Sequence, residues 1–130
     1  MYEVTVSETI SASHHLRGYR GKCENVHGHN YRVEATARAD GLDTTGLSLD
    51  FGVLRGHLRE VAARFDHRDL NACDEFAGCN PSSENLARAF YELLAARLAG
   101  LPVRLHEVRV WETEGSSVAY RPGPADDQAD

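Results

Sequence analysis

From Tyr2 to His14 apolar and polar residues alternate: Tyr2, Val4, Val6, Ile10, Ala12 and His14 share one parity, and Glu3, Thr5, Ser7, Thr9, Ser11 and Ser13 share the other. A period of two is that of a strand with one face buried. The alternation stops over 17–26, where Gly18, Gly21 and mixed charges read as a loop. It returns from His27 to Ala39, with His27, His29, Tyr31, Val33, Ala35, Ala37 and Ala39 opposite Asn30, Arg32, Glu34, Thr36 and Arg38. Asp40-Gly-Leu-Asp-Thr-Thr-Gly is turn chemistry. Asp50 then stands where a helix N-cap would, and Leu54, Leu58, Val61 and Phe65 recur at helical spacing, which predicts a helix over 51–65. A second helix opens at Asn80-Pro-Ser-Ser-Glu, with Ser82 as cap and Glu84 favourably placed against the helix dipole. It buries Leu86, Phe90, Leu93, Leu94 and Leu98 and ends at Gly100 and Pro102. Val103 to Thr113 and Ser117 to Tyr120 read as two more strands, joined by a hairpin turn at Glu114-Gly115-Ser116.

The order ββααββ segregates strands from helices, which implies an α+β two-layer domain: a four-stranded antiparallel sheet with both helices on one face. With 130 residues, 42% of them hydrophobic, the chain suits one domain over 1–121, followed by an acidic tail over 122–130 that has no apolar anchor. A chain this long buries enough surface to fold without disulfide or metal support, so a metal found here would be functional. The formal charge of −6 is concentrated at the end, with Asp126, Asp127 and Asp130 in the last five residues. No basic stripe or Lys/Arg run is present, which argues against nucleic acid and anionic membrane as partners. Met1 to Val6 has neither a basic nor an apolar leader segment, and no apolar run approaches the ~20 residues of a membrane span, so a cytoplasmic protein is expected. Three cysteines, Cys23, Cys73 and Cys79, with no C-x-x-C pair, indicate neither a disulfide framework nor a zinc ribbon.

Chemistry enters with the histidines. His27-Gly28-His29 puts two imidazoles at i and i+2 of a strand, on the same face. His14 ends the first strand on its apolar parity and reaches the same spot if the two strands are neighbours. Three converging imidazoles suit Zn²⁺, which in catalytic sites keeps its fourth position open. His15 has the opposite parity and is expected to face away, while His57 and His106 are expected to be structural or surface residues.

Cys23 precedes His27 by four residues, in Cys-x-x-x-His-x-His. A thiol beside a metal has a lowered pKa and can act as base or nucleophile; as a fourth ligand it would instead close the site, and spacing alone leaves both readings open. Cys73 and Cys79 lie in acidic, loop-like sequence and are assigned no role. Asp66-His67 follows the first predicted helix, and an aspartate that orients an imidazole is what a proton relay needs, although a helix-end cap is the commoner reason for such a pair. Glu112 has the parity of Val108 and Val110 and points inward if that parity holds, where a carboxylate requires donor groups. Leu105 and Trp111, apolar on the other side, leave the parity ambiguous.

Together, Ile10-Ser-Ala-Ser-His14-His-Leu, Cys23-x-x-x-His27-Gly-His29-Asn-Tyr, Leu49-Asp-Phe51, Phe65-Asp-His-Arg-Asp-Leu-Asn71, Asn80-Pro-Ser-Ser-Glu-Asn-Leu86 and Trp111-Glu-Thr113 resemble, in order, the motifs of the 6-pyruvoyltetrahydropterin synthase and 6-carboxytetrahydropterin synthase family. The resemblance implies a tunnelling fold (T-fold), in which the sheets of several subunits join into a barrel and two trimers stack into a homohexamer with sites at subunit interfaces. It implies a zinc-dependent lyase acting on 7,8-dihydroneopterin triphosphate, with His14, His27 and His29 as zinc ligands, Cys23 as catalytic cysteine, His67 and Asp66 as proton-relay partners, and Glu112 as the carboxylate that anchors the pterin ring. The three residues between Cys23 and His27 resemble the bacterial 6-carboxytetrahydropterin synthases of queuosine biosynthesis, whose products are the carboxypterin, acetaldehyde and triphosphate. The alternative within the family is the 6-pyruvoyl enzyme, which eliminates triphosphate. The chain departs from the family's pattern at Ile10, often phenylalanine, and at Arg68, often histidine. Outside the lyase readings stand a zinc-stabilised protein in which Cys23 completes a closed Cys-His₃ site, and a pterin-binding module without chemistry.

Overall fold

The structure, a computed structural model, describes residues 1–18 and 24–123. Cys23, and residues 124–130 of the expected tail, lie outside the described residues. The two alternating stretches form the longest strands, β1 (Tyr2–His14) and β2 (His27–Ala39). They pair antiparallel in unbroken register, from Tyr2 opposite Ala39 to His14 opposite His27. Burial fixes that register: Val4, Val6, Ile10 and Ala12 of β1 and Tyr31, Val33, Ala35 and Ala37 of β2 are all buried on one face, and a slip of one residue would turn the whole set to water. Glu8 shares this parity, and Arg59 from the first helix meets its carboxylate.

Helix α1 (Phe51–Ala62) starts where Asp50 accepts a hydrogen bond from the Gly52 N–H at 2.7 Å, and it buries Leu54, Leu58 and Val61. It ends three residues before the expected boundary, because the Arg64 and Phe65 amides bond to the Val61 and Ala62 carbonyls, a tightening to i→i+3 that closes the helix. Phe65 nonetheless enters the core, with ring centroids 5.9 Å from Phe76 and 5.2 Å from Phe90. The chain then lays down β3 (Arg68–Asp69), two residues parallel to β1 at Ala12 and Ser13, as a fifth strand beyond the four expected. Helix α2 (Ser83–Leu98) is capped by the Ser82 side chain, which accepts from the Asn85 N–H, and buries Leu86, Phe90, Leu94 and Leu98. Each such side chain contributes about 1.5–3 kcal/mol through its burial. Gly100, at φ 89°, turns the chain into the last hairpin.

That hairpin is β4 (Arg104–Thr113) and β5 (Ser116–Tyr120), and the sheet order is β3-β1-β2-β4-β5. Helix α1 packs on β1 and α2 on β4 and β5, so both helices cover one face of the sheet. Strand β4 carries two bulges. Leu105 lies opposite Ala37 and Glu107 opposite Thr36, leaving His106 as the extra residue; Trp111 lies opposite Ser117 and Thr113 opposite Ser116, leaving Glu112 extra. The first bulge resolves the ambiguous parity, because an inserted residue lets Leu105 and Val108 both face the core. Trp111 sits on the outer face, stacked under the Arg32 guanidinium at 4.9 Å from the ring centroid, with its indole N–H donated to Glu34.

Candidate metal centre

The core-facing parity of β1 and β2 ends in three histidines. His14 lies opposite His27, and His29 lies opposite Ala12, two residues along the same face. One ring nitrogen from each lies within 4.8 Å of the other two. His14 is 2% exposed, buried where Pro81 opens α2.

Backbone carbonyls set the tautomers. His14 Nδ1 is 2.7 Å from the Pro81 carbonyl and His27 Nδ1 is 2.7 Å from the Asn25 carbonyl. A carbonyl only accepts, so both Nδ1 atoms carry a proton, and in the neutral rings that a metal requires both Nε2 atoms present a lone pair. Those two Nε2 atoms face each other at 3.0 Å. Two lone pairs at that distance repel unless a cation lies between them. His29 Nε2 is buried without a hydrogen-bond partner. Burial lowers the His29 pKa; Glu112 opposes the shift, and His14 and His27 reinforce it. Neutral imidazole is the ligating form, so three converging lone pairs, two of them on rings held by backbone carbonyls, fit a divalent metal ion with an affinity for nitrogen. Tyr31 supports the group from below, its hydroxyl 3.2 Å from His14 Nδ1. Burial, and secondarily the Glu112 charge, raises the Tyr31 pKa and keeps the phenol protonated.

Glu112 faces this centre from β4, with Oε1 3.4 Å from His14 Nε2 and 3.3 Å from His29 Nε2. Asp66 and His67 are placed differently. Asp66 Oδ1 accepts from the Ser11 N–H at 2.8 Å, and the His67 N–H donates to the Ser11 carbonyl at 2.6 Å. This clips the turn after α1 to the edge of β1. His67 adopts φ 58°, its imidazole is 81% exposed, and its Nε2 is 3.7 Å from Asp66 Oδ2. The ring lines a cleft of about 460 Å³ with Arg68 and with Ser11, Ser13 and Asn30, whose parity is opposite to that of the three histidines; Ala12, Gly28 and His29 border the same cleft. Within one chain the structure therefore brings His14, His27, His29 and Glu112 together and puts His67 on the other side of β1 and β2.

The remaining histidines stay out of the centre. The His15 N–H donates to Asn71 Oδ1 at 2.9 Å, His57 on α1 accepts from Arg97 Nε at 3.3 Å, and His106 is the bulge residue of β4. Burial raises the Cys73 pKa, which disfavours its thiolate, and its thiol rests 3.6 Å from the Asp69 carbonyl. Sequence reading missed the two backbone carbonyls and Tyr31. Tyr31 alone had a signal, being two residues beyond His29 on the same parity; main-chain acceptors carry none.

The pattern of the 6-pyruvoyl tetrahydropterin synthase family matches residues 3–123. The chain is 37% identical over 117 residues to the 6-carboxy-5,6,7,8-tetrahydropterin synthase of Synechocystis sp., covering 86% of this chain and 87% of that protein. It is 35% identical over 135 residues to the 6-pyruvoyl tetrahydrobiopterin synthase of Drosophila melanogaster, covering 93% and 79%. Among solved structures, the 6-pyruvoyl tetrahydropterin synthase of Caenorhabditis elegans superimposes with a TM-score of 0.79 at 28% identity, over 95% of this chain and 98% of that one. The 6-pyruvoyl tetrahydropterin synthase of Plasmodium vivax, at 18% identity and a TM-score of 0.71, shares the fold. A family match along almost the whole chain, relatives of both product types above 30% identity and a common fold agree: the chain belongs to the 6-pyruvoyl tetrahydropterin synthase family, as a tetrahydropterin synthase of either the 6-carboxy or the 6-pyruvoyl kind.

Proposed function

We propose that this chain is a zinc-dependent 6-carboxy-5,6,7,8-tetrahydropterin synthase, converting 7,8-dihydroneopterin triphosphate to the 6-carboxypterin with release of acetaldehyde and triphosphate, in queuosine biosynthesis. The observation that carries this reading is the convergence of His14, His27 and His29 lone pairs beside Glu112 in a chain of this family. Zinc, when bound there, would polarise the hydroxyls of the substrate side chain and acidify the adjacent carbon-bound hydrogens. Cys23 would accept such a proton as thiolate, and His67, oriented by Asp66, would carry protons onward. Glu112 would accept hydrogen bonds from the 2-amino group and N3 of the pterin, a charge-assisted pair that holds the ring in one orientation.

His67 faces away from its own chain's centre, so we propose that it serves the centre of a neighbouring copy. The sheet ends at β5 on one side, and β3 covers β1 only at Ala12 and Ser13 on the other. These open edges suit the joining of sheets into a barrel and the assembly of trimers into a hexamer. The preference for the carboxy product rests on the three residues between Cys23 and His27. Overall identity does not rank the two, with 37% to a 6-carboxy enzyme and 35% to a 6-pyruvoyl one.

Incubation of the zinc-loaded protein with 7,8-dihydroneopterin triphosphate, with products identified by mass spectrometry, tests the reading. Acetaldehyde and the 6-carboxypterin are expected. A 6-pyruvoyl product would move the chain to the other branch, and no product from metal-loaded protein would leave a pterin-binding module. Cys23→Ala is expected to abolish turnover while zinc stays bound.

A further inference from the structure

Glu112 is pressed against the histidine centre without a hydrogen bond to it. Its Oε1 is 3.3 Å from His29 Nε2, yet that buried nitrogen has no hydrogen-bond partner. The same oxygen is 3.4 Å from His14 Nε2, which faces His27 Nε2 at 3.0 Å. The carboxylate oxygen therefore sits near both ring nitrogens but off the axes along which they would donate or accept. Atoms that share a metal have this relation: each aims at the ion, and neighbouring donors are separated by an edge of the coordination polyhedron. For a tetrahedral ion with bonds of about 2.0–2.1 Å, the edge is about 1.6 bond lengths, or about 3.3–3.4 Å. Both Glu112 contacts match that edge, and carboxylate oxygen is an ordinary zinc ligand.

The backbone explains how the oxygen arrives there. Glu112 is the extra residue of the second β4 bulge, and a bulge bends the strand and re-aims the inserted side chain. Among the described residues no Lys or Arg pairs with this carboxylate, and it accepts no hydrogen bond. Its carboxylate faces two imidazoles, while a third of its side-chain surface, 34%, remains open to solvent at the mouth of the centre.

We propose that Glu112 is a fourth, exchangeable ligand of the metal: Oε1 closes a His₃-carboxylate centre in the resting protein and leaves it when a pterin ring offers its N–H donors. The proposal rests on the metal-centre reading above and deepens it. One side chain then links two events, because engagement of the pterin ring frees the coordination position that the substrate hydroxyls need. Between turnovers the carboxylate keeps that position from water.

The test uses full-length protein loaded with Zn²⁺ or Co²⁺ and needs no turnover. X-ray absorption of the wild type is expected to show three imidazole nitrogens and one carboxylate oxygen around the metal. Glu112→Gln, which keeps the shape of the side chain, is expected to lower Zn²⁺ affinity by about tenfold or more in competition with a chelator and to shift the visible Co²⁺ spectrum. Unsubstituted pterin, which lacks the chelating side chain, is expected to shift the wild-type Co²⁺ spectrum and leave the Glu112→Gln spectrum unchanged. A sulfur neighbour would overturn the proposal in favour of Cys23. Equal affinity and equal spectra in wild type and Glu112→Gln would overturn it and leave the three-histidine centre standing. Metal binding that survives His27→Ala would overturn the centre and the proposal together.

Discussion

The three-histidine centre and the Asp66–His67 clip both hang on the same end of β1, at His14 and at Ser11, and they are built by opposite means. The centre comes from two thirteen-residue strands whose register is held by a buried face. Its rings are fixed as well, with His14 buried and Nδ1 of His14 and His27 each tied to a carbonyl. The clip fixes backbone instead. Two hydrogen bonds to Ser11 hold the turn, while the His67 ring stands in solvent. Metal ligands need preset geometry, because an ion tolerates little error in distance. A proton carrier needs a set position and a ring free to meet a group from outside its own chain. In the proposed roles, these two requirements fall on two faces of one strand pair.

Substitution on each side should break the comparison most sharply. His27→Ala is expected to lower metal affinity by more than the ~10–100-fold that loss of an outer partner costs, and turnover should fall to background. His67→Ala is expected to retain metal fully while turnover falls about 10²–10⁴-fold. Metal content measured beside initial rates checks both. Metal loss in His67→Ala would show that the two faces are not independent.

Phe65 ties the clip to the core. It is fully buried between Phe76 and Phe90, and Asp66 follows it directly. Phe65→Ala is expected to cost about 3–5 kcal/mol of stability, as for other buried aromatic truncations, measurable by urea unfolding. If the clip depends on this anchor and the centre does not, turnover at saturating metal should fall while metal affinity stays within about threefold, well short of what a lost outer partner costs.

The same contrast explains what could be read in the residues alone. The centre was legible because strand parity is a rule of covalent geometry: His27 and His29 must share a face, and the buried face of β1 carries His14 to it. The antiparallel sheet with two covering helices followed from the two hydrophobic periods. The β4 bulges were not legible, since an inserted residue leaves no mark in composition, and for that reason Leu105 conflicted with the parity of Val108 and Val110. A two-residue strand such as β3 is too short to show any period. Nothing in Phe65-Asp-His-Arg announces that His67 takes φ 58°, because that backbone state is imposed by the two bonds to Ser11.

The His67 backbone offers a smaller, opposite-signed effect. A non-glycine residue in the left-handed region costs about 1–2 kcal/mol, and glycine avoids that steric cost. His67→Gly is therefore expected to be more stable than His67→Ala by about 1 kcal/mol in urea unfolding, while both lose turnover equally. Equal stabilities would mean that Ser11 holds the turn in a conformation alanine accepts without strain.

His106 sharpens the comparison at its weakest point, because it separates burial of a histidine from gathering of histidines. Burial lowers its pKa below the ordinary 6.5, and Arg38 and Arg121 add to the shift while Glu3 and Glu107 oppose it. Burial likewise leads the lowering at His29, but no other imidazole stands beside His106 in the three-histidine group. As pH falls below about 6.5 the unfolded chain takes up a proton that folded His106 resists, so this part of the stability is present above that pH and lost as the pH drops toward the folded value. His106→Gln removes the titrating group. Its urea midpoint should therefore decline less than that of wild type between pH 7.5 and 5.5, with metal affinity at pH 7.5 unchanged. An equal decline in both proteins would assign the acid sensitivity to other groups; a change in metal affinity would mean that the first β4 bulge reaches the centre as the second one does.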